Sequence, residues 1–314
     1  MRHFIEPNSF SLEEQLALLD LADRMEADPA PYAHLCDGRI LATLFYEPST
    51  RTRLSFESAM LRLGGKTLGF AGAQLSSASK GETVEDTARV VSNYADVIAM
   101  RHPKEGAPLR ASLSARVPVI NAGDGGHAHP SQTMIDLMTI RQRKGHLDHL
   151  TIGFCGDLKF GRTVHSLIMA MRHFSPTFHF VAPKELAMPA EYKLYCKEHG
   201  IKYEENTEFT EDTIADADIL YMTRVQKERF SDLMEYERVK NVYILRNDML
   251  AKAKPNMKIL HPLPRVNEIN YDVDSNPHAY YIQQAGNGLY AREAIFCDVL
   301  GISLDEVKND KTII

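Results

Sequence analysis

Residues Ile40-Leu41-Ala42-Thr43-Leu44-Phe45-Tyr46 form an almost uninterrupted apolar run, and Glu47-Pro48-Ser49-Thr50-Arg51-Thr52-Arg53 follows it directly. An apolar run this short reads as a strand, and one without polar alternation reads as a strand covered on both faces. The spacing beyond it predicts a helix over 54–62. Strand, polar turn and helix make the unit from which parallel sheets are assembled. The unit recurs along the chain. Further strands are expected over 67–70, 97–100 and 117–122. Helices are expected over 11–26, where Leu12, Leu16, Leu19 and Met25 keep helical spacing, over 82–94 with Thr83 as N-cap, and from Pro130 to about 143. The pattern then restarts, with strands expected over 150–155, 178–182, 219–222, 242–245 and 258–260 and a last helix over 288–300. The fold class is therefore α/β, with two domains that are each a parallel sheet flanked by helices. Their boundary is expected within 125–150, and a ligand cleft between them, beyond the carboxyl ends of the strands.

Composition narrows the function classes. With 314 residues the chain suits two domains of ~100–200 residues. It has 36 Lys and Arg against 42 Asp and Glu, a net charge of −6, which argues against a general nucleic-acid binder. No apolar run approaches the ~20 residues of a membrane span, and the N-terminus has no apolar signal core. Cys36, Cys155, Cys196 and Cys297 lie far apart with no Cys-x-x-Cys pair, so neither a disulfide framework nor a metal site is expected. These features together suit a reduced, cytoplasmic enzyme without a membrane partner.

Several segments carry chemistry. Ser49-Thr50-Arg51-Thr52-Arg53 places three hydroxyls and two guanidiniums between a strand and a helix. Helix-start N–H groups, hydroxyl donors and arginine forks together make an anion cradle; a capped helix with solvated arginines is the plainer alternative. The segment is not a Walker loop, since Gly-x-x-x-x-Gly-Lys-Ser/Thr is absent. Ser76-Ser77-Ala78-Ser79-Lys80-Gly81-Glu82 offers a mobile charge on small residues, or a flexible surface loop. Arg101 ends an apolar strand, the side of a sheet on which ligands bind, or is simply a surface arginine. His129-Pro130-Ser131-Gln132 opens a helix after a glycine-rich turn, where His129 can donate to an oxyanion and Gln132 can read an amide.

In the second half, Gly156-Asp157-Leu158-Lys159-Phe160-Gly161-Arg162-Thr163 links a strand to a helix without the Gly-x-Gly-x-x-Gly of nicotinamide sites, and Arg162 there can hold a carboxylate. Arg224 and Gln226 are two apart, so an extended backbone turns them to one side, where both can grip a carboxylate. His261-Pro262-Leu263-Pro264-Arg265 ends a strand with two prolines in three residues. Prolines lack the donor but keep the acceptor, so a stiff segment of this kind suits holding an NH₂ group by its carbonyls.

Taken in order, Ser-Thr-Arg-Thr, Ser…Lys-Gly-Glu, Met-Arg-His-Pro, His-Pro-x-Gln, Gly-Asp-Leu…Gly-Arg-Thr, Thr-Arg-Val-Gln-Lys-Glu-Arg and His-Pro-Leu-Pro-Arg resemble the aspartate/ornithine carbamoyltransferase family. The match runs from about residue 40 to about 300. The aspartate branch is the nearer one: the ornithine enzymes carry His-Cys-Leu-Pro where this chain has His261-Pro262-Leu263-Pro264. Arginines also suit a second substrate with two carboxylates.

The resemblance implies a first domain over 1–133 plus 287–314 that binds carbamoyl phosphate, and a second over 134–286 that binds L-aspartate. The implied reaction yields N-carbamoyl-L-aspartate and phosphate, an early step of pyrimidine synthesis. It needs no metal or organic cofactor, because phosphate is already a good leaving group. By resemblance Ser49, Thr50, Arg51 and Thr52 bind phosphate. Arg101 reaches both phosphate and carbonyl oxygen, His129 donates to that oxygen, and Gln132 reads the amide. The carbonyls of Pro262 and Leu263 accept from the NH₂ group. Arg162, Arg224 and Gln226 bind aspartate.

Ser76 and Lys80 match a loop that enters a neighbouring subunit's site, which implies a homotrimer with shared sites. Glu47 and Arg229 match an ion pair of domain closure. Relatives differ in whether separate regulatory chains join the trimer; the segment 252–258 is similar to that of relatives with such partners. Phe160, Ser79 and Ser131 depart from residues frequent in the family. Three other readings are weaker on these residues. A carbamoyltransferase for a basic amine conflicts with Arg224 and Gln226, and a nicotinamide dehydrogenase conflicts with the missing glycine fingerprint. A non-catalytic paralogue conflicts with the presence of Arg51, Lys80, His129 and Arg224.

Overall fold

The computed structural model describes residues 1–6 and 10–304. The chain divides into two compact units, one made of Met1–Met138 and the chain from Asn287 onward, the other of Thr139–Gly286. Two helices cross the division, α5 (Pro130–Lys144) and α10 (Tyr281–Val299).

The first unit opens with helix α1 (Leu12–Ala27), whose Ser11 and Glu14 form a reciprocal capping box. Its sheet contains β1 (Ile40–Phe45), β2 (Lys66–Ala71), β3 (Val97–His102) and β4 (Val119–Asp124), all parallel in the order β2-β1-β3-β4. Helices α2 (Thr50–Arg62), α3 (Val84–Val91) and α4 (Ala107–Ser114) connect them. Strands alternate their side chains, so Ala42, Leu44, Ile98 and Met100 pack with Ala88 of α3 and Ala111 of α4 on one face. Elsewhere in this unit Phe56 of α2 meets Phe296 of α10, ring centroids 5.9 Å apart.

The second unit holds a five-stranded parallel sheet in the order β7-β6-β5-β8-β9. The strands are β5 (Thr151–Cys155), β6 (Thr177–Val181), β7 (Lys202–Asn206), β8 (Ile219–Met222) and β9 (Lys258–Leu260). The helices are α6 (Arg162–Met171), α7 (Ala190–Glu198), α8 (Glu211–Ile214) and α9 (Leu233–Val239). Alternation again sorts the sheet's faces. Phe154 stacks among Phe178, Phe180 and Tyr221. Its neighbour Cys155 joins Leu220, Met222 and Ile259 in a separate cluster.

The expected parallel sheets flanked by helices are present, with corrections at element level. Helix α2 starts at Thr50, so Arg51 to Arg53 lie in its first turn rather than before it. Helix α10 starts at Tyr281, seven residues earlier than its spacing suggests. Residues 242–245 are not a sheet strand. Leu245 instead makes an isolated parallel bridge to Ile269, because its N–H donates to Glu268 O at 2.9 Å while its carbonyl accepts from Asn270 N. Its side chain still enters the core. Helix α4 and strand β7 were not expected; β7 is a polar edge strand whose exposed residues give no apolar signal. Among the described residues no helix is long and apolar enough to cross a membrane. The expectation over 305–314 lies outside the described residues.

Candidate active site

In a parallel sheet the strand order reverses at one point, and ligands bind outside the carboxyl ends of the strands flanking it. In the first unit that point lies between β1 and β3. Strand β1 delivers Ser49–Arg53 and β3 delivers Arg101, so the two arginine segments named from sequence meet at this switch point.

Ser49 is the N-cap of α2 in extended conformation, and its side chain makes no capping bond. The first-turn N–H groups lack acceptors within the helix and carry the positive end of its dipole. Thr50 and Arg51 are exposed, while Thr52 is buried. Arg53 points to its own helix, donating through Nε to Glu57 Oε1 at 2.7 Å, and Glu57 also accepts from Thr43 Oγ1 at 2.8 Å. Glu57 thus holds Arg53 as a strut on its own helix.

Arg101 sits where β3 and β4 lose register, the single residue of β3 facing two of β4, Ala122 and Gly123, between the Met100–Asn121 and His102–Asp124 pairs. Such irregularities re-aim side chains. The Arg101 guanidinium lies 2.8 Å from Glu47 Oε1 and is largely buried. Glu47 is therefore an ion-pair partner of Arg101 within its own unit.

The glycine-rich turn before His129 is organised by Asp124, which is buried. Its carboxylate accepts from Gly106 N at 2.9 Å, Ala128 N at 3.1 Å and Asn121 Nδ2 at 3.1 Å. This fixes the approach to α5, where His129 is 5% exposed and lies 3.4 Å from the Ser131 hydroxyl through Nδ1. Gln132 donates through Nε2 to buried Asp136 at 2.9 Å. Ser76 turns its hydroxyl into its own loop, donating to Ala73 O and accepting from Ala78 N, while Lys80 is exposed.

In the second unit the reversal lies between β5 and β8. Strand β5 leads to Gly156–Arg162 and β8 to Thr223–Gln226, so the three residues assigned to one ligand sit at this second switch point. Buried Asp157 ties the two loops together. Its Oδ1 accepts from Phe160 N at 2.9 Å and its Oδ2 from Gln226 N at 3.3 Å. Burial pushes its carboxyl up to about 6, against these N–H groups and the charge of Arg224. Gln226 adds a second tie, its Nε2 donating to Phe160 O at 3.0 Å. Its amide is thus partly engaged by the protein, beyond the sequence expectation of a pure carboxylate grip. Arg162 opens α6, and Arg162 and Arg224 are both half-buried. His165, one turn further, is kept neutral by burial, its ionisation lowered to about 4, with Nε2 2.8 Å from Leu158 O.

Pro262 and Leu263 follow β9, beside β8, and both are half-buried. His261 before them is buried, with Nε2 2.7 Å from Glu268. Sequence reasoning missed Asp124, Asp157 and Glu268. The signal available was only that each is an acid in an otherwise glycine- or proline-rich turn.

Two parallel α/β units, each presenting arginines and hydroxyl or amide groups at its switch point, define an enzyme that handles two anionic ligands. Comparison with known proteins makes the class specific. One family model, described as the aspartate/ornithine carbamoyltransferase carbamoyl-P binding domain, matches residues 2–142, and a second, described as the Asp/Orn binding domain, matches 148–299. The chain belongs to the aspartate/ornithine carbamoyltransferase family and is a carbamoyltransferase. It is 66% identical over 300 residues to the aspartate carbamoyltransferase catalytic subunit of Bacteroides thetaiotaomicron, covering 96% of this chain and 95% of that one. The Clostridium kluyveri catalytic subunit is 54% identical, over 96% of this chain and 98% of its own. The catalytic subunit of M. jannaschii aspartate transcarbamoylase superposes with a TM-score of 0.88 at 45% identity, covering 98% of this chain and 100% of that chain. The Trypanosoma cruzi aspartate transcarbamoylase in complex with N-(phosphonacetyl)-L-aspartic acid gives 0.88 at 37% identity, over 95% of each.

Proposed function

We propose that this chain transfers the carbamoyl group of carbamoyl phosphate to the α-amine of L-aspartate, giving N-carbamoyl-L-aspartate and phosphate. The observation that carries this reading is the pair of switch points, one bearing Ser49–Arg53 and Arg101, the other Arg162, Arg224 and Gln226. A phosphate suits helix-start N–H groups, hydroxyls and a guanidinium. A dicarboxylate suits a set with two arginines, Arg162 and Arg224, whereas the side-chain amine of ornithine would call for an acid.

In this reading the start of α2 and Arg51 bind the phosphate, and Arg101 bridges phosphate and carbonyl oxygen. Thr52, Arg101 and His129 donate to that oxygen as charge builds on it. The carbonyls of Pro262 and Leu263 accept from the carbamoyl NH₂, and Gln132 reads the same amide. Attack by the aspartate amine on the carbamoyl carbon expels phosphate, and a departing phosphate oxygen takes the amine proton. One oxyanion donor is worth about 2.7–4 kcal/mol, and holding two substrates in register about 7–11 kcal/mol, so orientation outweighs any single side chain. The reading extends to assembly as a homotrimer in which Lys80 and its loop serve a neighbouring subunit's site.

The direct test is formation of carbamoyl-amino acid by purified protein given carbamoyl phosphate and either L-aspartate or L-ornithine. Turnover with aspartate alone is expected. Turnover with ornithine alone would overturn the roles of Arg224 and Gln226, and none with either would overturn the catalytic reading.

A further inference from the structure

We propose that Glu268 and His261 are positioning residues that aim the Pro262 carbonyl at the NH₂ group of carbamoyl phosphate; the inference rests on the role given above to the segment after β9. Three buried polar side chains converge on this segment: His261 is 2% exposed, Glu268 4% and Gln284 0%. The His261 backbone N–H donates to Gln284 Oε1 at 2.8 Å, which fixes the start of the turn.

The two ring nitrogens face opposite demands. Nε2 lies 2.7 Å from Glu268 Oε1, and Nδ1 lies 2.7 Å from Leu263 N. A backbone N–H is only a donor and a carboxylate only an acceptor. The ring must therefore carry its proton on Nε2 and offer a lone pair at Nδ1. Glu268 stays ionised for this task. Burial opposes its charge, but the hydrogen bond from the His261 ring and that from the Val266 N–H, 3.1 Å from Oε2, hold the carboxyl below its usual range; Asn267 N also donates to Oε2 at 3.1 Å.

The consequence is at Pro262. The Leu263 N–H and the Pro262 C=O belong to one planar trans peptide and point in opposite directions. Tethering the N–H to the ring turns the carbonyl away from it. Leu263 also has φ +56°, a left-handed conformation unfavourable for a non-glycine residue, which such a tether holds in place. Glu268 thus sets the tautomer, the tautomer holds the amide, and the amide aims the carbonyl.

Glu268→Gln keeps the shape and removes the logic. If its oxygen faces the ring, its NH₂ meets the donors of Val266 and Asn267. If its NH₂ faces the ring, the tautomer inverts and Nδ1–H meets the Leu263 N–H. Calorimetry would compare carbamoyl phosphate with acetyl phosphate, in which a methyl replaces the NH₂, on wild type and Glu268→Gln. The wild type is expected to prefer carbamoyl phosphate, and the variant to bind it about ten-fold more weakly with acetyl phosphate unchanged, the scale of one lost hydrogen bond. Equal losses for both ligands, or none, would overturn the proposal. A wild type without preference would overturn the role of the segment itself, and the proposal with it. Should the variant misfold, ¹⁵N-histidine spectra of the wild type, assigned against His261→Gln, decide: a proton on Nε2 supports the relay, and one on Nδ1 refutes it.

Discussion

At Asp157 burial and hydrogen bonding pull in opposite directions. Burial raises the carboxyl from 3.8 to about 6, although N–H groups from two loops converge on it. Between those two values the native state holds a proton that the unfolded chain has lost, so stability falls as pH rises. This contribution is complete below about pH 4 and gone once pH passes about 6. At 1.36 kcal/mol per unit it amounts to about 3 kcal/mol. Asp157→Asn has no such titration. The unfolding free energy of the wild type relative to Asp157→Asn should therefore drop by about 3 kcal/mol between pH 4 and pH 7, measured by urea unfolding at a series of pH values. A difference that stays flat across that range would show that the carboxyl is not raised. The charge kept at neutral pH is what joins the Phe160 and Gln226 backbones, so the cost in stability maintains the shape of the loops that carry Arg162 and Arg224.

The element scale shows why one loop needs a glycine. Gly156 has φ +117°, and a Cβ there would lie 2.3 Å from the Thr223 carbonyl oxygen, backbone that cannot step aside. Gly156→Ala should lower stability by about 2–5 kcal/mol, combining left-handed strain with overpacking, and raise KM for aspartate as the β5 and β8 loops part. The binding constant for carbamoyl phosphate should stay within about two-fold, because its proposed phosphate ligands lie in the other unit and the Pro262 and Leu263 carbonyls follow β9, outside the two parting loops. Thermal melts and substrate kinetics on one preparation check both halves, and an equal loss on both substrates would mean global damage instead. The same scale explains what could be read from sequence. Leu41–Phe45 and Phe154–Cys155 announced central strands because sheet burial leaves them no polar side. Ser49–Arg53 announced its chemistry but not its helix, since hydroxyls and arginines in a first turn look like a loop. Gly286 and Gly288 masked the early turns of α10. Asp124, Asp157 and Glu268 were illegible because each also takes a partner that the fold brings to it: Gly106 N, Gln226 N and the His261 ring.

For the whole molecule the open link is Lys80. Its loop follows β2, an edge strand with largely exposed residues. Leu54 and Leu61 of α2, Leu68 of β2 and Leu75 of the loop are also exposed, at 59%, 58%, 38% and 71%. Apolar side chains of that size on and beside a sheet edge suit a second copy of the chain. If three copies close a ring, each site draws Arg51 from one subunit and Lys80 from the next. Arg51→Ala and Lys80→Ala should then each be nearly inactive, since a single donor at the reacting centre is worth about 10²–10³ in rate. Mixed, dissociated and reassembled in equal amounts, they should regain activity. Every trimer containing both chains has one junction at which an intact Arg51 meets an intact Lys80. Three quarters of randomly assembled trimers are mixed and each has one working site in three, so about a quarter of wild-type activity should return. A site built within one subunit regains nothing on mixing, because each chain would lack one of its own groups. Recovery near a quarter, with sedimentation showing trimers before and after, would establish the shared site. Trimers without recovery would assign Lys80 to its own subunit.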